Sequence, residues 1–172
     1  GLWGFVDKEG KAVIPNQFSQ VDYKFAEKLT YVKTDSGYGF IDENGQTVIK
    51  PSFIDVENFS DGLAPAAVTI PDGEKMTVLN KLQKWRCGFI DPSGKKIASG
   101  FFAAHHFSEG LAAVSTGLKW GFIDSRGVMV IPAKFDQARS FTQGLAAVQV
   151  GDRWGYIDKA GTFKIPPKFL SR

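Results

Sequence analysis

The chain has 172 residues, of which 43% are hydrophobic and 23% are charged, a balance that is typical of globular chains and excludes disorder. Its formal charge of +3, from 21 Lys and Arg against 18 Asp and Glu, is too small to predict nucleic-acid binding. The single cysteine excludes an internal disulfide and a multi-cysteine metal site. No apolar run approaches the roughly 18 residues of a membrane-spanning helix, so we predict no membrane insertion.

A pentapeptide with a glycine in second place and an aspartate in fifth place occurs five times along the chain. The copies span residues 3–7, 38–42, 87–91, 120–124 and 154–158. Their glycines are Gly4, Gly39, Gly88, Gly121 and Gly155, which are 35, 49, 33 and 34 residues apart. The first residue is Trp or Tyr except in the third copy, where it is Cys87. A nearly constant period of this length predicts a tandem-repeat architecture.

Each pentapeptide has the pattern of a strand that is covered on both sides. Alternation places the Trp and Phe on one face and the Gly and Ile on the other, and the glycine allows a neighbouring backbone to approach closely. Asp-x-x-Gly then predicts a type I turn of a hairpin. We interpret the aspartates as structural turn residues whose carboxylates accept backbone N–H groups: Asp7, Asp42, Asp91, Asp124 and Asp158.

After the turn, a β-branched pair such as Val130-Ile131 predicts the returning strand. The prolines Pro15, Pro132 and Pro166 are expected to end that strand, because proline cannot donate to a β-ladder. A second signature, Phe-x-x-Gly-Leu, then predicts another turn and a third strand; its first copy has Lys28 where the others have glycine.

These patterns predict an all-β fold made of tandem antiparallel β-meander or hairpin repeats of about 34 residues in an open stacked array. A closed propeller-like or barrel-like arrangement is the alternative. The chain divides as a single array into units 3–37, 38–86 with an insert at 69–86, 87–119, 120–153 and a truncated 154–172.

At these motifs the sequence resembles the WG-repeat (KWG-type) family, and Lys119-Trp120-Gly121 spells the KWG form. The resemblance covers essentially the whole chain. It implies bacterial β-rich repeats that occur in arrays and share no catalytic residues. The sequence does not fix the cellular compartment, and a bacterial extracytoplasmic or cell-associated location is favoured.

The insert is the largest departure from the period. Nine residues separate the signature Leu from the next Trp position in three units, whereas 24 separate Leu63 from Cys87. The added segment brings apolar residues at helical spacing among lysines, although a lengthened hairpin is equally consistent with it. Insertions in repeat arrays often map to the binding face, so we name as candidate binding residues Met76, Leu79, Leu82 and Trp85.

No set of residues predicts catalysis or metal binding. Five identical aspartates lack the differentiation of a catalytic carboxylate pair. His105 and His106 point to opposite faces if they lie on a strand, and Cys87 in an aromatic position is interpreted as a core residue. We therefore predict that the protein is not an enzyme and has no cofactor and no metal.

The predicted function is that of a non-enzymatic interaction module that binds a protein partner, because repeat arrays present extended surfaces. The alternative is a carbohydrate or cell-wall binding module that uses the repeat aromatics as stacking platforms. The alternative interpretation of the insert is a tolerated loop insertion that has no role in binding.

Overall fold

A computed structural model describes residues 1–69 and 85–170 of the chain. All regular secondary-structure elements in these two stretches are β-strands. In them, no helix has the length and hydrophobicity needed to cross a membrane. The predicted all-β class is therefore confirmed.

The strands form separate antiparallel sheets that follow one another along the chain. The first sheet pairs β1 (Trp3–Val6) with β2 (Ala12–Phe18). The second joins β3 (Gln20–Val21), β4 (Leu29–Thr34), β5 (Gly37–Asp42) and β6 (Thr47–Phe53). The third joins β7 (Asp55–Val56), β8 (Ala64–Thr69), β9 (Trp85–Ile90) and β10 (Lys96–Phe101). The fourth joins β11 (Ala103–Ala104), β12 (Leu111–Ser115), β13 (Trp120–Asp124) and β14 (Met129–Phe135). The fifth joins β15 (Gln137–Ala138), β16 (Ala146–Val150), β17 (Arg153–Ile157) and β18 (Phe163–Leu170).

Each of the last four sheets has four strands, whereas the sequence predicted three per unit. The extra strand is a pair of residues that precedes the Phe-x-x-Gly-Leu signature, as in Ala103–Ala104, which pairs with Ser115 and Val114. Each sheet therefore combines two strands from the end of one unit with two from the start of the next. Within the described residues no sheet closes into a barrel, so the open array is confirmed.

The glycine of the pentapeptide faces a bulge in the returning strand of its own hairpin. Pairing shifts between Trp120 and Phe122, and a Cβ added to Gly121 would lie 2.5 Å from the carbonyl oxygen of Ile131. Pro132 lies in that bulge, inside β14. The expectation that proline ends the strand is wrong, because a bulged residue needs no ladder hydrogen bond.

Neighbouring units stack through small and apolar contacts between turns and strands. The Phe of each of the first four pentapeptides packs on the Phe of a second signature, as Phe122 does on Phe141 at a ring-centroid distance of 5.0 Å. A Cβ added to Gly161 in the last Asp-x-x-Gly turn would lie 3.2 Å from Ile131 of the preceding unit. Each turn thus covers the returning strand before it, which builds a continuous core along the array.

The turns of the Phe-x-x-Gly-Leu signatures are linked in a row that we call the turn ladder. In each link the acidic side chain of one turn accepts a hydrogen bond from the second central residue of the next turn. The links join Glu27 to Gly62, Asp61 to Gly110 and Glu109 to Gly144, with N···O distances of 2.8–3.2 Å. The ladder fixes the spacing between successive sheets along one side of the array.

Candidate binding site

One position recurs at the edge of the four-stranded sheets, directly after the short strand. Its residue donates its backbone N–H to the neighbouring strand in every one of these sheets. These equivalent residues, which we call the edge position, are Asp22, Glu57, His105 and Arg139, and their N···O distances are 2.9–3.3 Å. The backbone is therefore constant at this position while the side chain changes from acidic to basic along the chain.

In the last two sheets the edge position lies against the Trp of the pentapeptide. The imidazole of His105 stacks on the ring of Trp120 with 5.0 Å between centroids and 19° between planes. The guanidinium carbon of Arg139 lies 5.7 Å from the ring centre of Trp154. Trp120 also packs against the cluster that contains Ala138 of the following sheet. The Trp120 ring thus contacts the edge residue of its own sheet and the core cluster to which the next short strand contributes Ala138.

In the third sheet Cys87 stands in the Trp position, and the residues that line the space beside it include no aromatic side chain. A hollow of about 190 Å³ lies there. Its walls include Glu57, Ala67 and Cys87 of the third sheet and Ala103 and Ala104 of the fourth. We call it the Cys87 hollow.

A larger hollow of about 440 Å³ adjoins it. Its lining includes Asp22, Lys24, Tyr31, Asn58 and His106. The two hollows share Val56 and Glu57. We call the two hollows together the groove, since their lining residues come from the second, third and fourth sheets.

Two hydrogen-bond acceptors lie in the wall of the larger hollow, on Asp22 and Asn58. Asp22 is only 8% exposed, and its Oδ2 accepts a hydrogen bond from the side-chain amide of Asn58. The amide oxygen of Asn58 is buried without a hydrogen-bond partner among the described residues. Because an unpaired buried acceptor is costly, this wall favours a ligand that donates hydrogen bonds.

The groove also perturbs the pKa values of its titratable groups. Burial raises the pKa of the Glu57 carboxyl, His106 acts against this rise and Asp55 adds to it, although Glu57 as a whole is an exposed residue. Burial likewise raises the pKa of the Cys87 thiol. Since the thiolate is the nucleophilic form, Cys87 is a weak nucleophile at neutral pH.

The candidate binding residues of the insert lie outside the part of the chain whose side chains the structure describes. Met76, Leu79 and Leu82 lie in residues 70–84, and Trp85 is described only through the backbone of β9. The backbone pairs Ala67 with Cys87 and, two pairs further along the same hairpin, Thr69 with Trp85. The insert therefore leaves the third sheet at the end that carries the Cys87 hollow.

The five repeat aspartates all occupy the Asp-x-x-Gly turns. Each Oδ1 accepts two backbone N–H groups, at 2.8–3.1 Å, from the residues two and four positions later. The Val128 N–H is the main cause that lowers the pKa of Asp124. In residues 1–69 and 85–170, no group of three or more His, Cys, Asp or Glu side chains is arranged to hold a metal ion.

The two histidines take different places. His105 occupies the edge position over Trp120, while His106 lines the larger hollow together with Asp22 and Asn58. Sequence analysis did not name Asp22, Glu57 or Asn58 as site residues. The edge position that Asp22 and Glu57 share becomes visible only when the second signatures are aligned on Val21, Val56 and Ala104 and not on the pentapeptides.

Tandem four-stranded meanders with a conserved turn geometry define this chain as a β-repeat protein. A family model described as a WG containing repeat matches residues 3–37, 38–68, 88–119, 120–154 and 154–169. The chain belongs to this WG-repeat family, and the gap in the match at residues 69–87 coincides with the insert. Comparison with curated proteins finds no match.

Proposed function

We propose that this protein is a non-enzymatic interaction module that binds a protein partner along the groove and the adjoining insert. The groove carries the proposal, because it crosses three successive sheets and therefore suits an extended chain better than a small metabolite. Its acceptor-lined wall and its apolar Cys87 hollow offer a polypeptide both hydrogen bonds and an anchoring pocket.

The chemistry of the groove supports binding over catalysis. An enzyme would need a nucleophile or a general base whose pKa suits the reaction. Burial shifts the pKa of the Cys87 thiol away from the reactive thiolate form. The Asp22 carboxylate accepts hydrogen bonds from Asn58 and from the backbone of Tyr23, which favours a positioning role over proton transfer.

The arrangement of the repeat aromatics supports a protein partner over a glycan. Sugar binding would need rings with an open face. His105 covers one face of Trp120, and Tyr38 is 8% exposed and donates its hydroxyl to Gln20. These two rings serve the packing of the array, whereas Trp3 of the first pentapeptide is 59% exposed.

Site-specific photo-crosslinking tests the proposal. A photoreactive residue is placed at Lys24 in the groove and, as the matched control, at Glu43 in the exposed Asp42–Gly45 turn, whose residues do not line the groove. Both proteins are irradiated in an extract of the source organism, and crosslinked proteins are identified by mass spectrometry. We expect a protein that crosslinks from position 24 and not from position 43.

A second variant shortens the insert to the length of the loop that follows Val114. We expect it to keep the melting temperature of the parent and to lose the crosslink. Capture of isolated glycans with no protein crosslink at position 24 would contradict the proposal and favour the carbohydrate alternative.

A further inference from the structure

The Cys87 hollow lies where the equivalent position of the fourth sheet carries the ring of Trp120. In the fourth sheet Trp120 pairs with Ser115, just as Cys87 pairs with Ala67 in the third sheet. The Trp120 ring lies against His105 of its own sheet and packs on the cluster of Ala138. Glu57 and Ala104 are the residues equivalent to these two, and both line the hollow.

We propose that the Cys87 hollow binds an aromatic side chain, with an indole as the best fit, that a protein partner inserts between the third and fourth sheets. This inference rests on the proposed function and names the group by which the partner is anchored.

The size of the hollow fits one side chain. Pockets for complete small molecules usually span about 300–1,000 Å³, whereas this hollow has about 190 Å³. Small pockets that hold one buried aromatic residue are typical of the sites that dominate protein–protein affinity, and Trp and Tyr are enriched there.

The walls supply the two kinds of contact that an indole needs. Methyl groups of Ala67, Ala103 and Ala104 and the sulfur of Cys87 offer apolar contact to the ring faces. The carboxyl of Glu57, at the edge position, offers an acceptor at the rim. A Trp N–H that is buried usually needs such a partner.

The neighbouring insert lacks the required group. Residues 70–84 contain no Phe, Trp or Tyr. A ring in the hollow therefore comes from another molecule, unless it is that of Trp85, and the experiment below separates these two sources.

Alkylation of the single cysteine measures occupancy directly. The isolated wild-type chain is treated with N-ethylmaleimide in increasing concentrations of N-acetyl-tryptophanamide, with N-acetyl-leucinamide as the matched probe. An isolated side chain binds weakly, with a Kd of about 1 mM. At ten times that concentration we expect Cys87 to react about tenfold more slowly, because only the unoccupied fraction reacts. The leucine probe leaves the rate unchanged.

Variants then move the site. In Cys87→Trp the introduced indole ring fills the hollow. In the wild type we expect the indole probe to shift the NMR methyl signals of Ala103 and Ala104, and in this variant we expect no such shifts. In the double variant Cys87→Trp with Trp120→Cys, an equivalent hollow opens in the fourth sheet. The thiol at position 120 then shows the protection that position 87 shows in the wild type. Circular dichroism spectra and melting curves establish that each variant is folded.

Two results overturn the inference. One is an alkylation rate of wild-type Cys87 that the indole probe does not change. The other is protection that appears only in Trp85→Ala, because this result would mean that Trp85 itself occupies the hollow in the wild type. Since only the isolated chain and a small probe are used, these failures are distinct from a failure to crosslink a protein at position 24.

Discussion

The carboxylate of Glu109 accepts a hydrogen bond from the backbone N–H of Gly144, at 3.1 and 3.2 Å to its two oxygens, and so joins two turns that lie 35 residues apart in sequence. The same carboxylate pairs with Lys159 at 3.2 Å. The Gly144 N–H is the main cause that lowers the pKa of Glu109, and Lys159 contributes. Contacts of this kind hold consecutive units together without any strand pairing between sheets.

We expect Glu109→Ala to lower the melting temperature, because it leaves the Gly144 N–H without its acceptor and opens one link of the turn ladder. Lys159→Ala is the matched control, since it removes the ion pair but keeps the link, and exposed ion pairs contribute little. Melting curves of both variants at low and high salt make the comparison. Equal losses in the two variants would show that the ion pair, and not the link, matters.

Gly121→Ala should reduce the free energy of unfolding by about 3 kcal/mol, because the new Cβ would lie 2.5 Å from the Ile131 carbonyl oxygen and 2.7 Å from the Ala133 nitrogen. The clash is with the bulge of the same hairpin and not with a neighbouring unit. Gly10→Ala meets no atom within 4 Å but has a φ of +82°, so backbone strain alone should cost about 1 kcal/mol. Urea unfolding measures both, and equal costs would rule out the close approach at Gly121.

Lys28→Gly should stabilise the protein by about 1 kcal/mol. Lys28 has a φ of 69°, and the equivalent residues of the later turns are Gly62, Gly110 and Gly144. A side chain in the left-handed region is strained, and glycine removes that strain. The reciprocal variant Gly110→Lys should be destabilising by a similar amount in urea unfolding. A destabilised Lys28→Gly would mean that the Lys28 side chain makes a stabilising contact.

Acid should weaken the Asp-x-x-Gly turns. The pKa of Asp124 is lowered by the Val128 N–H first and by Arg126 as well, so its contribution is present above the ordinary carboxyl pKa of about 3.9 and is lost as the pH falls through the folded-state value. Asp124→Asn keeps an acceptor oxygen but removes the titration. We therefore expect its melting temperature to fall less than that of the wild type between pH 5 and pH 2. The difference should correspond to the contribution of one carboxyl group to the pH dependence of stability. Parallel acid curves would contradict this.

The local parts of the fold are predictable from the sequence because short motifs encode them. Asp-x-x-Gly and Phe-x-x-Gly-Leu each specify a turn through a side-chain acceptor or a positive φ, and the alternation in residues 120–124 specifies which side chains face each neighbour. The short strands are different. Ala103 and Ala104 have no pattern of their own and pair only because β12 is already in place, so the four-stranded sheet was missed.

The groove was missed for a related reason. Asp22, Asn58 and His106 come from three units and share no residue type, so no motif joins them; the stacking of the sheets brings them to one hollow. The sequence shows that Cys87 replaces the Trp of the pentapeptide. It does not show that this replacement leaves a hollow, because Ala103 and Ala104 of the next short strand form part of the wall and that strand was not predicted.

The division of each sheet between two sequence units decides how the array can be cut and recombined. A fragment that follows the motif, such as residues 120–154, carries the halves of two sheets and leaves each without its partners. A fragment from Ala103 to Phe135 contains β11–β14 as a complete sheet. In the gene, however, the loss or duplication of one full repeat period joins equivalent backbone positions, whatever the residue at which the period is cut. The number of repeats can therefore change without a cut at a sheet boundary.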